Sequence, residues 1–169
     1  MISNLWNFTA DDGILGDLTP PTEIVDAQCK YLEEITNGKI LAKISPYRGH
    51  DEYPTLKNMF EFEFFVTSTY TPNYKYSVMF MRHEIEYYPL TLDIDSDIVV
   101  EAGISEADYR NNIVFPQTIV KNEDEFIFVL SQIINSRKMK KVINSLYSMI
   151  KSQERRSGII SDSAIEDML

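Results

Sequence analysis

The sequence predicts an α+β domain: an antiparallel β-sheet of about four to five strands, packed by an N-terminal helix and by C-terminal helices. Three observations lead there. Two stretches alternate at period two, Phe60-Glu61-Phe62-Glu63-Phe64-Phe65-Val66-Thr67 and Tyr74-Lys75-Tyr76-Ser77-Val78-Met79-Phe80-Met81, as strands buried on one face do. Segments with helical spacing stand near both ends of the chain. Strands grouped between helices, rather than alternating with them, favour antiparallel pairing over parallel crossovers.

The elements follow in order. Residues 1–18 mix Trp6, Phe8, Ile14 and Leu15 with Asp and Gly at no clear period and read as an arm. A helix starts at Thr19-Pro20-Pro21-Thr22-Glu23, with Thr19 as cap and Pro20 at the first helical position. Its predicted buried face is Ile24, Gln28, Tyr31, Leu32 and Ile35, and Asn37-Gly38 ends it. Lys39–Ile44 alternates as a strand, and Ser45–Asn58, with Pro46, Gly49 and Pro54, reads as a loop. The two aromatic strands follow, joined by the six residues Ser68–Asn73. Strict alternation puts Tyr74, Tyr76, Val78 and Phe80 in the core, and Phe65, Met79 and Met81 on a wet face with Glu61, Glu63, Lys75 and Ser77.

Glu84–Tyr88 and Leu90–Ile94 read as further strand around Pro89, with Ile98–Glu101 as a short strand and Ser105–Arg110 as one helical turn. Asn122 and Glu125 have capping-box spacing ahead of Phe126, Val129, Leu130, Ile133 and Ile134, a helical stripe. Asn135-Ser136 breaks that helix and caps another, whose buried stripe is Met139, Val142, Ile143, Leu146 and Ile150. The predicted organisation is therefore an arm (1–18), one α+β domain (19–153) and a polar tail (154–169).

Composition bounds the function. With 169 residues and 44% apolar content, one domain can bury a full core without disulfides. The single cysteine, Cys29, suits a reducing compartment. No apolar run approaches the roughly 20 residues of a membrane helix. The first 18 residues lack Lys and Arg and carry Asp11, Asp12 and Asp17, unlike a secretory signal. A cytoplasmic protein is the expectation.

A net charge of −10 disfavours nucleic-acid backbones as partners. The charge is uneven. Residues 137–156 hold seven basic side chains against the single acid Glu154, a net of +6, leaving −16 for the remainder. Such a segment reads first as a basic helix face pairing with the chain's own acids, and second as the complement of an acidic face meeting a basic partner.

No constellation specifies a catalyst or a cofactor. His50 and His83 each neighbour carboxylates but lack ligand spacing. Asp93-Ile94-Asp95-Ser96-Asp97 begins like a calcium loop and then places Ile98 and Ile104 where Gly and Glu are needed; on a strand it reads as a hydrated acidic edge. Cys29 sits inside the first helix, as buried thiols do. The more telling features are the cluster Tyr70, Pro72, Asn73 and Tyr74 at the hairpin tip and the exposed methionines Met79 and Met81, residue types enriched where proteins meet. With Asp93, Asp95 and Asp97 they form the predicted interface of a non-enzymatic interaction module with a basic protein partner, acting as an adaptor, inhibitor or immunity-type protein. The alternatives are a binder of small apolar ligands and a metal-dependent hydrolase using His50 and His83.

Overall fold

In the computed structural model, residues 19–47, 58–104 and 117–156 are described, Pro72 by its backbone only. The expected arm, residues 48–57 with His50, the helical turn at 105–110 and the tail from 157 onward lie outside them.

Five antiparallel strands form a meander in sequence order: β1 (Ile40–Pro46), β2 (Phe60–Ser68), β3 (Thr71–His83), β4 (Leu90–Ile94) and β5 (Gln117–Val120). Four helices accompany it: α1 (Pro21–Ile35), α2 (Ser96–Ala102), α3 (Glu123–Ile134) and α4 (Arg137–Arg156). The α+β architecture is the one the sequence predicts.

The inner face of the sheet carries Phe64, Val66, Met79, Met81, Leu90, Leu92, Ile94 and Val120, all buried beneath Val25 and Cys29 of α1, Ile98 and Val99 of α2, Phe126, Leu130 and Ile133 of α3, and Met139, Leu146 and Ile150 of α4. Met79 and Met81 are 1% and 0% exposed, which corrects their expected place on the wet face. The cause is a β-bulge. Phe64 pairs with Met79 and the next residue, Phe65, pairs with Ser77, so Val78 is an extra residue in β3. Val78 and Met79 both go inward, and from there the alternation runs in the opposite phase. Phe80, expected in the core, is turned to the outer face.

The hairpin tip is tighter than expected. Ser68 pairs with Thr71, leaving Thr69 and Tyr70 as the turn. Between Val66–Tyr76 and Ser68–Thr71 the register slips again, so Pro72 falls where the ladder is interrupted and its missing N–H costs no bond. The Thr67 hydroxyl donates to the Tyr74 carbonyl (2.7 Å) across that gap.

Helix α1 begins one residue late, with Pro20 as its cap and Pro21 inside. Its buried stripe is Pro21, Val25 and Cys29, and Tyr31 and Ile35 are 60% and 78% exposed, so the predicted face is rotated away from the core. Asn37 and Gly38 both take positive φ, and the Gly38 and Asn37 amides donate to Glu33 and Glu34, closing the helix end. Residues 84–88 are irregular rather than strand, with a bend at 85–87, and 98–101 belong to α2 rather than to a strand. Among the described residues no helix is long and apolar enough to cross a membrane.

Asn122 caps α3 as predicted, accepting from the Glu125 amide at 2.9 Å, while Glu125 reaches back to the Lys121 amide. Ser136 separates α3 from α4 and accepts from the Met139 amide at 3.1 Å.

Candidate functional site

The outer face of the sheet holds the densest arrangement of polar and aromatic groups. One row runs across all five strands: Ser45, Glu63, Phe80, Asp93 and Gln117. The neighbouring row holds Glu61, Arg82, Thr91 and Ile119. Tyr47 extends the β1–β2 ladder past Pro46, its amide donating to the Glu61 carbonyl at 2.8 Å.

The two ends of this face differ. On one side Glu63, although on the outer face as expected, is only 5% exposed. Lys75 and Ser77 donate to its two carboxylate oxygens, and the Lys75 ammonium lies over the Phe65 ring. This charge is satisfied from within. On the other side Tyr47, Glu61, Phe80, Arg82 and Asp93 line a concave pocket of about 160 Å³. Tyr47 and Phe80 meet edge to face at 4.7 Å, a favourable aromatic geometry. Arg82 pairs with one oxygen of Asp93. The other, Oδ1, is covered by protein and has no hydrogen-bond partner among the described residues. Burial therefore pushes the Asp93 carboxyl above its usual range, against the opposing pull of Arg82 and Gln117.

The predicted interface residues do not come together. Met79 and Met81 lie in the core. The Tyr70 hydroxyl donates to Glu154 at 3.3 Å, and Tyr74 and Asn73 remain exposed at the hairpin tip; the Pro72 side chain is outside the described set. The three aspartates divide their work instead of forming one acidic edge. Strand β4 lies between β3 and β5, and it ends at Ile94. Asp93 sits in the outer-face pocket. Asp95 caps α2, accepting from the Asp97 amide and from the Tyr76 hydroxyl. Asp97 pairs with Lys138 at 2.6 Å, which holds its carboxyl below the usual range.

The basic helix α4 also meets the chain's own acids. Glu101 of α2 accepts from the Arg137 and Lys138 amides at the start of α4, where a carboxylate complements the helix dipole. At the far end Glu154 accepts from Lys39 at 2.9 Å as well as from Tyr70, and Lys39 keeps the Glu154 carboxyl below its usual range. An open groove of about 650 Å³ along the outer side of α4 is lined by Arg137, Lys140, Lys141, Asn144, Ser145 and Ser148.

The remaining reactive groups are enclosed. Burial pushes the Cys29 thiol up to about 12, which suppresses the thiolate needed for nucleophilic attack. His83 is 5% exposed. Its ring stacks against Phe60 and Phe62, meets Tyr87 edge-on, and lies 2.6 Å from the Glu84 carbonyl through Nδ1. A carbonyl only accepts, so Nδ1 carries the proton. Among the described residues no group of three His, Cys, Asp or Glu side chains is placed to hold a metal ion.

Of the pocket residues only Asp93 belongs to the predicted interface; Tyr47, Glu61, Phe80 and Arg82 do not. The one available signal was the cross-strand opposition of Glu61 and Arg82, which becomes visible only when the bulge is placed. Comparison of the chain with family models, with curated proteins and with solved structures returns no match in any of the three.

Proposed function

We propose that this protein is a protein-interaction module that binds a basic partner through the outer face of its sheet. The observation that supports this reading most is the contrast across that face. Glu63 is neutralised internally, whereas Asp93 takes Arg82, the one cation among the described lining residues, and Glu61 lines the same pocket beside the Tyr47–Phe80 pair. Aromatic rings next to under-compensated charge form the kind of surface on which binding energy concentrates. The net charge of −10 steers a basic protein toward it at low salt. The proposed binding surface thereby moves from the hairpin tip and from Asp95 and Asp97, which cap α2 and pair with Lys138, to the sheet, where Asp93 alone of the expected interface residues lies.

The test is affinity capture from native lysate at low and high salt, followed by lysine cross-linking. The expected result is a stoichiometric basic partner, released by salt, that cross-links to Lys43 and Lys75 on the outer face. Absence of any such partner, or cross-links confined to Lys140 and Lys141 on α4, would overturn the reading.

A further inference from the structure

The pocket on the outer face specifies a side chain more narrowly than a surface patch does. We infer that the pocket between Tyr47, Glu61, Phe80 and Asp93 receives an arginine side chain from the partner protein. This rests on the reading of the outer face as a partner-binding surface and names the group recognised there.

Size decides the first step. A volume of about 160 Å³ is about half the lower end of the roughly 300–1,000 Å³ typical of small-molecule sites. It fits one side-chain head group rather than a free ligand. Charge decides the second. Among the described residues Glu61 and Asp93 against Arg82 leave the lining at −1, and Arg82 has already given a bond to Asp93. An incoming carboxylate would face two carboxylates and a committed cation. An incoming cation meets Glu61 and the exposed part of the Asp93 side chain, 19% of it, which excludes the covered Oδ1 and leaves Oδ2 beside Arg82.

The walls decide the third step. Tyr47 and Phe80 present rings at 61° to each other, 4.7 Å between centroids, so a group entering beside them has an aromatic surface to lie against. A guanidinium is planar, weakly hydrated, stacks on aromatic faces and carries donors enough to bridge two carboxylates. An ammonium is a strongly hydrated point charge that uses the aromatic walls less well.

The experiment is a titration of the full-length protein with N-acetyl-arginine methylamide, followed by backbone amide NMR shifts. The lysine and citrulline analogues serve as comparison probes. The expected result is millimolar binding of the arginine probe, with shifts confined to the residues around Tyr47, Phe80 and Asp93. Binding should weaken at least fivefold in Glu61→Gln and in Tyr47→Ala. It should be weaker for the lysine probe, absent for citrulline, and unchanged in Glu34→Gln, which removes an acid from α1. Circular dichroism of each variant separates lost binding from lost fold.

Shifts spread over the whole acidic surface, equal weakening in Glu34→Gln, or no shifts at all would overturn the inference. A captured partner indifferent to Glu61→Gln and Tyr47→Ala would overturn the pocket assignment alone and leave the module's function standing. Arginine-probe binding with no captured partner would do the reverse.

Discussion

The two faces of this sheet are built from the same strands, and often from adjacent residues, yet they follow different rules. On the inner face Phe64, Met79, Leu92 and Ile94 are buried in one apolar cluster with side chains from the helices, and packing fixes them. On the outer face Glu63, Phe80, Arg82 and Asp93 are held by a few directed contacts. Those four inner-face side chains are at most 2% exposed. On the outer face burial is partial, and one pocket is left with chemistry to spare. A single sheet therefore has one face fixed by packing and another held by directed contacts.

Substitutions can break that contrast or sharpen it. The largest effect belongs to the inner side: Phe126→Ala should cost about 3–5 kcal/mol by urea unfolding, because its ring is fully buried. Phe80→Ala, equally large but on the outer face, should cost only about 1 kcal/mol. Equal losses at both positions would erase the distinction between the faces.

Deletion of Val78 comes next. It joins Ser77 to Met79 and makes the register regular, since Phe64–Met79 and Phe65–Ser77 are already consecutive pairs. The protein should still unfold cooperatively, about 2 kcal/mol less stable for the lost buried side chain. A strand without the bulge would instead have Met79 and Met81 displaced to the other face, and the deletion would abolish folding.

Asp93→Asn is the smallest effect. Burial holds the Asp93 carboxyl above its ordinary 3.8, so the folded state holds that proton more tightly than the unfolded chain does. The stability this contributes is fully present below pH 3.8 and is lost as pH rises through the raised value. The asparagine variant should flatten that part of the pH–stability profile. Its melting temperature at neutral pH should equal or exceed that of the wild type, while a drop of several degrees would show the ion pair with Arg82 to be stabilising after all.

What was legible in the sequence was what local signals determine. The cap at Asn122, the break at Ser136 and the stripes of α3 and α4 all follow from helical spacing and terminal hydrogen bonds, and the structure matches them. The failures have a common physical origin in apolar residues that permit more than one frame. Val78-Met79-Phe80-Met81 is apolar throughout, so alternation can be read in either phase, and only pairing with β2 places the bulge. In α1, Tyr31 and Ile35 are more conspicuous than Val25 and Cys29, yet the smaller pair fits against β1. Asp93-Ile94-Asp95-Ser96-Asp97 continues the strand's alternation, but Asp95 is also a good helix cap ahead of Ile98 and Val99, and the cap prevailed. The pocket was the least legible feature, because Tyr47, Phe80 and Asp93 lie far apart in the chain and meet only through the sheet's register.

The join at Glu154 has a consequence for how the molecule is made. Tyr70 reaches it across 84 residues, and Lys39 reaches it from farther still, so the first strand, the hairpin tip and the last turn of α4 are fastened at one carboxylate. During synthesis that fastening waits until nearly the whole described chain has emerged. Contacts this remote in sequence are slow to form because the intervening loop must be closed first. Everything N-terminal to α4 therefore persists for a time with the tip of its hairpin not yet joined to α4, and completion of the last helical turn adds that join to a first strand already paired with β2.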